Sequence, residues 1–455
     1  MSAMIAPFVR RRASIVRVAL SVLAVTLLTS GCSQPNLSGA FAEAERYMTE
    51  SADLERYFAY SNAALGRPYQ RFYVRSVEEW HQTFEGNAAQ RPADRPTVTP
   101  TRPLVPYRDF LVEYPPGFFL IAVPPALVST TPRGYAIVFG AFMLLLLWAA
   151  ALVCGRIAIL AGWPISQTRL VSWILIAAVC LGTLVTQRYD AVVAFLLCVM
   201  CWATLARRPV ILGVAAGAAI AIKIVPALVA GICGLFLWRE HRRGELWQAL
   251  GIAALVAVAI SAPILFLAPS GFVEMLRYHI DRPLEVGSTA AGLLGLWHSI
   301  DPSAVAASHS YGSGNVVGRL APAALAVTNI AAVSAIAAVY VAAWRRFGAR
   351  STPEGRARLL LSTTTAVVAA FIATGKVGSP QYLTWLLPIG VLVTLLDRRW
   401  LPLAALLATL VIAQTVYTIV PFQVEAFRPW ASALVVARNT VLVGWAWSIA
   451  SGTGC

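Results

Sequence analysis

The sequence predicts an all-α integral membrane protein: a bundle of about 11–13 transmembrane helices with juxtamembrane helices in the first external loop. Three observations predict it. The 455 residues are 58% hydrophobic and 13% charged, about half the charge of an ordinary soluble domain. Continuous apolar runs recur at lengths near the roughly 20 residues that span a bilayer. Arginine clusters punctuate those runs at 10–12, 207–208, 239–243, 345–358 and 398–399. A soluble globule and disordered, collagen-like and coiled-coil classes are excluded. A β-barrel is disfavoured because the runs lack period-2 alternation.

The arginine clusters mark the cytoplasmic face, since basic residues collect in inside loops. The apolar runs between them give spans near 14–31, 116–131, 134–154, 168–186, 190–206, 209–238, 246–268, 320–343, 358–375, 380–396, 400–420 and 428–449. The 209–238 run is too long for one simple helix. Lys223 and Pro226 lie at its middle, so it divides into two short helices meeting near the outer face. Sidedness then leaves one conflict. Either 116–131, with Pro124-Pro125, is re-entrant, or 153–168 hides a further crossing. The chain organises as a first transmembrane helix (1–31), an external loop (32–115), a membrane bundle (116–268), a second external loop (269–319) and a second bundle (320–455).

Arg10-Arg11-Arg12 followed by an apolar stretch to Cys32 is compatible with a signal peptide. The stretch is long enough to span, and the expectation is an uncleaved first helix with its N-terminus inside. The net charge of +15 is assigned to topology-setting arginines, not to nucleic acid. Of the basic residues 34 are Arg and two are Lys, so Lys223 and Lys376 stand out; a compact ammonium is not equivalent to a guanidinium. Cys198 and Cys201 form a CxxC within an apolar run, which is expected to be helix packing and not a redox or zinc site. Gly213 and Gly217 make a small-xxx-small helix contact.

The ionisable residues gather at the predicted external ends of the spans. Such groups are costly in hydrocarbon and are usually partnered or functional. The first loop supplies Asp53, opening an amphipathic segment that ends at Gly66-Arg67-Pro68, and Glu113-Tyr114-Pro115-Pro116 leading into a helix. An N-cap role is the structural alternative for Asp53. Asp190 lies in the turn Gln187–Asp190; Lys223 could pair with it or meet a phosphate. The second loop carries Tyr278–Glu285, where His279, Arg282 and Glu285 could hold a phosphate and orient a sugar, Arg offering a bidentate match to phosphate. The third site is Gly375–Trp385, with Lys376, Gln381 and Tyr382. Its Gly-Lys has the wrong spacing for a nucleotide loop.

These pieces, in this order and on one side, resemble the polyprenyl-phosphate-sugar-dependent membrane glycosyltransferases of the GT-C superfold, closest to glycosyltransferase family 87, the α-mannosyltransferase-like group. The resemblance runs from about 51 to 390. It implies a GT-C-type helical bundle with Asp53 as general base. Glu113, Tyr114, Asp190, Lys223, His279, Arg282, Glu285, Lys376, Gln381 and Tyr382 become candidate substrate-binding residues. It also implies transfer of a hexose, mannose by default, from a polyprenyl-phosphate donor to a hydroxyl of a glycolipid or glycan acceptor. The reaction would invert configuration at the outer face of a bacterial inner membrane. Cofactors are expected to be none and no metal site is expected; membrane lipid is the surrounding partner. Departures from the family pattern are a long spacer between Tyr69 and Pro106, and Gln187-Arg188 at a turn where Gly-Gln is usual. Rival readings are a lipid-linked-sugar flippase or transporter, suggested by the broken 209–238 segment, and a non-catalytic polytopic protein.

Overall fold

Hydrocarbon offers no partner for a free N–H or C=O, so apolar runs of this kind must satisfy their backbone groups internally, as helices. The computed structural model describes residues 51–76, 78–79, 96–349, 352–396 and 400–451. The expected first helix at 14–31 and the spacer at 80–95 lie outside the described residues. The described chain opens with α1 (Ala52–Ala64), followed by a two-residue antiparallel pair, β1 (Tyr69–Gln70) with β2 (Thr97–Val98). A 3₁₀ turn at Pro116–Phe118 leads into α2 (Phe119–Val128). The first group of bundle helices comprises α3 (Pro132–Leu160), α4 (Gln167–Leu181), α5 (Asp190–Leu205), α6 (Pro209–Ile222), α7 (Pro226–Arg239) and α8 (Arg243–Leu267). An extramembrane section holds α9 (Pro269–Asp281), α10 (Thr289–Trp297) and the hairpin β3 (Ala306–Ser310) and β4 (Ser313–Val317). The second group comprises α11 (Ala321–Arg346), α12 (Pro353–Thr374), a 3₁₀ segment Pro380–Leu386 running into α13 (Leu387–Leu396), α14 (Trp400–Gln414), and α15 (Pro429–Ser451).

The fold is an all-α integral membrane bundle. Six helices are long and apolar enough to cross a membrane: α3, α8, α11, α12, α14 with its π-helical continuation to Ile419, and α15. Shorter apolar helices fill the space between them. Exposure supports the membrane assignment. Large apolar side chains lie bare on α8 and α11, with Phe266 86% and Val333 69% exposed, a surface that water would not tolerate at this extent.

Contacts sort the helix ends into two groups. One end joins Arg207 to Glu245, Arg356 to Glu240, and Arg239 to the Phe347 carbonyl. The other joins Lys223 to Asp190, Arg188 to Tyr417, and the Glu285 amide to the Lys376 carbonyl. The arginine clusters at 207–208, 239–243 and 345–349 therefore share one end, and the candidate site residues share the opposite one.

The sidedness conflict resolves at α2. The helix α3 runs unbroken from Pro132 to Leu160, so no crossing hides at 153–160. In contrast, α2 is ten residues long, about 15 Å, half the ~30 Å of hydrocarbon. Both its ends meet α1: Phe118 packs on Tyr57, and the Ala126 carbonyl accepts from Arg67 at 2.6 Å. It lies along the site end and does not pass. The 209–238 run divides as its residues require. Lys223 is extended (φ −156°, ψ 132°), and α7 restarts at Pro226, where a missing N–H costs nothing.

Gly213 and Gly217 seat α6 on α8. A Cβ at Gly217 would stand 2.4 Å from the Ala253 carbonyl oxygen, and one at Gly213 2.6 Å from that of Ala249. Cys198 and Cys201 are both buried; their Sγ atoms lie 3.6 Å from Cys154 Sγ and from Thr364 Oγ1, respectively. They pack the core between α3, α5 and α12.

The 269–319 section is more ordered than a loop. The hairpin pairs Ala306 with Val317 and Ser310 with Ser313. Tyr311 and Gly312 both take positive φ (51° and 69°), as the two central residues of a tight type I′ turn must.

Gly217→Leu should destabilise the protein by about 1–3 kcal/mol through overpacking. Intrinsic fluorescence during thermal unfolding in detergent reads this. Gly244→Ala, where a Cβ meets nothing within 4 Å, should leave the transition unmoved.

Candidate active site

Polar groups at the membrane end of a bundle must neutralise one another or line a wet cavity. Here they do both. A cavity of about 350 Å³ opens at the site end between α1, the turn before α5, the break between α6 and α7, α9, the hairpin tip and the segment 375–382. Asp53, Glu113, Tyr114, Asp190, Lys223, His279, Arg282, Glu285, Lys376, Gln381 and Tyr382 all line it.

Asp53 lies in the first turn of α1, but it does not cap the helix. Ser51 holds the N-cap position, and the Asp53 side chain turns into the cavity. Its Oδ2 is ion-paired with Arg188. Its Oδ1 lies 3.8 Å from Arg56 and 3.5 Å from the Tyr114 hydroxyl. Asp53 has the most exposed side chain of the four cavity carboxylates, at 13% against 2–8% for the others.

Glu113 is committed to structure on both oxygens. Oε1 pairs with Arg56 and Oε2 accepts from the Tyr60 hydroxyl at 2.8 Å. Behind them Tyr57, Tyr114, Phe118 and Tyr189 pack edge-to-face, a geometry aromatic rings prefer. The Glu113 carbonyl accepts from His279 Nε2 at 2.8 Å. A carbonyl can only accept, so Nε2 carries the proton. Burial lowers the His279 pKa to about 4, Arg282 adding to the effect. The ring is therefore neutral at neutral pH and offers hydrogen bonds, not charge.

Asp190 and Lys223 meet directly at 2.7 Å. Trp385 Nε1 donates to the same Asp190 oxygen at 2.6 Å. The ammonium lies 4.8–5.0 Å from the ring centroids of Tyr189, Tyr382 and Trp385, within cation–π range. Of the two sequence-level alternatives for Lys223, the structure has the pair with Asp190.

The third wall is built on the second loop and the 375–382 segment. Arg282 donates to Ser313 Oγ at 2.8 Å and lies 3.9 Å from Glu285. Lys376 donates to the Ile280 carbonyl at 2.7 Å; burial, with Arg282 nearby, pulls it below the ordinary lysine value. Tyr278 donates to the Tyr311 carbonyl at 2.6 Å, holding α9 to the hairpin tip. Gly378 and Gly287 touch backbone to backbone: a Cβ on Gly378 would stand 2.0 Å from the Gly287 carbonyl oxygen. Arg438, buried on α15, donates to both carbonyls, at 3.1 and 2.8 Å. Gln381 Oε1 is buried and has no hydrogen-bond partner. Among the described residues no group of three or more His, Cys, Asp or Glu is arranged to hold a metal ion.

Five cations and four carboxylates thus face one small cavity beside an apolar bundle. A sequence model of glycosyltransferase family 87 matches residues 110–374, more than half of the chain. The chain belongs to glycosyltransferase family 87. It is a multi-pass membrane glycosyltransferase. No curated protein and no solved structure gives a significant match. The matched stretch contributes Glu113, Arg188, Asp190, Lys223, His279, Arg282 and Glu285 to the cavity. Asp53 and Arg56 precede it, and Lys376, Gln381 and Tyr382 follow it. The fold brings the three stretches of the transferase together.

Sequence reasoning did not single out Arg56, Arg188, Arg438 or the hairpin tip. Arg56 and Arg188 are ordinary-looking residues in an arginine-rich chain; only their position beside Asp53 and Asp190 hinted at a role. Arg438 had the clearest signal, a charge inside an otherwise apolar span. The Ser-Tyr-Gly-Ser-Gly stretch at 310–314 carried the turn signal for the hairpin.

Lys223→Met should destabilise the transferase by about 3–5 kcal/mol, because it leaves Asp190 buried without its counterion. Adding Asp190→Asn should restore part of that in the same thermal assay. His279 sets a pH dependence. The unfolded chain takes up a proton near pH 6.5, while the native ring does so only near 4. Its contribution is therefore fully present above about 6.5 and lost as pH falls toward 4. His279→Gln should flatten that limb of a stability-against-pH profile.

Proposed function

We propose that this transferase moves a hexose, mannose in the first instance, from a polyprenyl-phosphate donor to a hydroxyl of a glycolipid or glycan. The reaction would run at the extracytoplasmic face of the cell membrane, with inversion and with Asp53 as general base. The observation that carries this reading is Asp53 itself. It is the cavity carboxylate most open to a substrate, and the other three are spent on Arg56 and Tyr60, on Lys223 and Trp385, and on Arg282 and Ser379.

The chemistry asks for one base and several cations. The acceptor oxygen attacks the anomeric carbon, its proton passes to Asp53, and the bond from that carbon to the phosphate oxygen breaks. The phosphate leaves with the electron pair, so no general acid is required. Attack opposite the leaving group inverts the centre, as in one-step glycoside hydrolysis. Arg282 and Lys376 face the cavity where they can stabilise charge developing on the phosphate. Lys223 acts at one remove, holding Asp190 and the ring wall. Gln381, with its unpaired buried oxygen, is suited to accept from a sugar hydroxyl. A lipid phosphate fits a cavity at the end of an apolar bundle, where a polyprenyl chain can lie between helices.

The arginine-rich end opposite the cavity supports an outward-facing site, because basic loops favour the cytoplasm. The broken helix at Lys223, which favoured a transporter, has a local cause in the ion pair with Asp190.

Purified protein in lipid, given radiolabelled polyprenyl-phosphate-mannose and a membrane glycolipid extract, should form a glycosylated product. Asp53→Asn, shown to be folded, should lower turnover by about 100-fold or more. Equal turnover by both proteins would remove Asp53 as base and leave the transferase. Movement of intact lipid-linked sugar without a new glycosidic bond would overturn the reaction.

A further inference from the structure

The oxygen that Asp53 would present to an acceptor is not free. Arg188 Nη1 is ion-paired with Oδ2. Arg188 Nη2 donates to the Tyr417 hydroxyl at 2.8 Å. Its Nε is buried and has no partner. The guanidinium therefore lies in the cavity wall with one strong ionic contact, one neutral contact and one donor unmet. Both holds sit on adaptable supports. Arg188 itself is extended (φ −126°, ψ 149°) in the turn between a four-residue helix and α5. Tyr417 stands in the π-helical segment Thr415–Ile419, a distortion common at functional sites.

A carboxylate oxygen covered by a guanidinium cannot receive a hydroxyl proton at that position. A guanidinium prefers a dianionic phosphate at least as well, since phosphate matches its fork with two or three oxygens. We propose that Arg188 is an exchangeable cover on Asp53, surrendered to the donor's phosphate, so that the base becomes available only when the donor is in place. The exchange conserves charge pairing inside the cavity: one anion replaces another on the same cation, and neither is left bare. It also imposes an order, donor before acceptor. The inference rests on the donor and base assignments proposed above.

The test reads binding, which does not depend on turnover. Radiolabelled polyprenyl phosphate without a sugar is titrated against wild type, Asp53→Asn, Arg188→Gln and the double variant, all monodisperse in detergent. If Asp53 competes with phosphate for Arg188, Asp53→Asn should bind about tenfold tighter than wild type. Arg188→Gln should bind about tenfold weaker. In the Arg188→Gln background, Asp53→Asn should change nothing, because the contested cation is gone. Uncharged polyprenol should show none of these differences. Inorganic phosphate as a competitor separates the two sources of the charge: full competition at millimolar levels would indicate a free-phosphate site and overturn a lipid-borne ligand. Equal tightening by Asp53→Asn in both backgrounds would mean simple loss of negative charge, and overturns the exchange. No tightening overturns it as well. Arg188→Lys replaces Arg188→Gln if the latter does not fold. Turnover of Asp53→Asn, measured alongside, decides the base assignment separately: an active variant removes the base while the binding data still decide the exchange.

Discussion

The ion pair between Asp190 and Lys223 is the constraint on which the site depends. Asp190 opens α5, Lys223 stands at the break between α6 and α7, and Trp385 reaches the same oxygen from the 3₁₀ segment before α13. Three bundle elements are thereby fixed at one depth. Neither charge is affordable alone near hydrocarbon, so each specifies the position of the other. The adjoining Arg188 and Tyr189 are set by the same turn. The cavity wall is thus a consequence of neutralising one buried pair.

A second tie closes the far side. Arg438 comes from the last helix and spans the carbonyls of Gly287 and Gly378. Those glycines let two loops pass in backbone contact, which no side chain would permit. Arg282 and Glu285 lie on one loop and Lys376, Ser379 and Gln381 on the other. A single buried guanidinium therefore registers two loops that a bundle of apolar helices alone would leave free to slide.

Much of this was legible in the residues. Helix boundaries followed Pro, Gly and the arginine clusters, because each has a direct backbone or topological cost. The break at Lys223 was visible since an ammonium and a proline interrupt an apolar run. The convergence of Asp53, Glu113, Asp190, Arg282 and Lys376 was visible because charges beside membrane spans have few places to go. The hairpin at 306–317 was not, since its strands are short and its apolar side faces α9 and the loop at 284–286 rather than following an alternating pattern. Arg56 and Arg188 were not, because in a chain with 34 arginines residue type carries little information and only three-dimensional proximity separates a site residue from a topology signal. The capping role open to Asp53 was equally plausible from sequence; Ser51, two residues earlier, took that position.

The electrostatics of the cavity has a further consequence. Each carboxylate already holds a cation, and each cation a carboxylate or carbonyl. Such a site has no standing excess of charge to draw in an anion strongly. It accepts a phosphate by exchange, and the partner released in that exchange becomes reactive. Asp53 and Arg188 are the pair for which this matters, because Asp53 is the carboxylate nearest to solvent and Arg188 is held on its other side only by a neutral hydroxyl. Glu113 and Asp190 are each held by two donors within the protein, so an incoming anion displaces them less readily. A cavity built from mutually satisfied charges is stable when empty and keeps its base covered from water, and the same pairing lets the substrate's own charge uncover it.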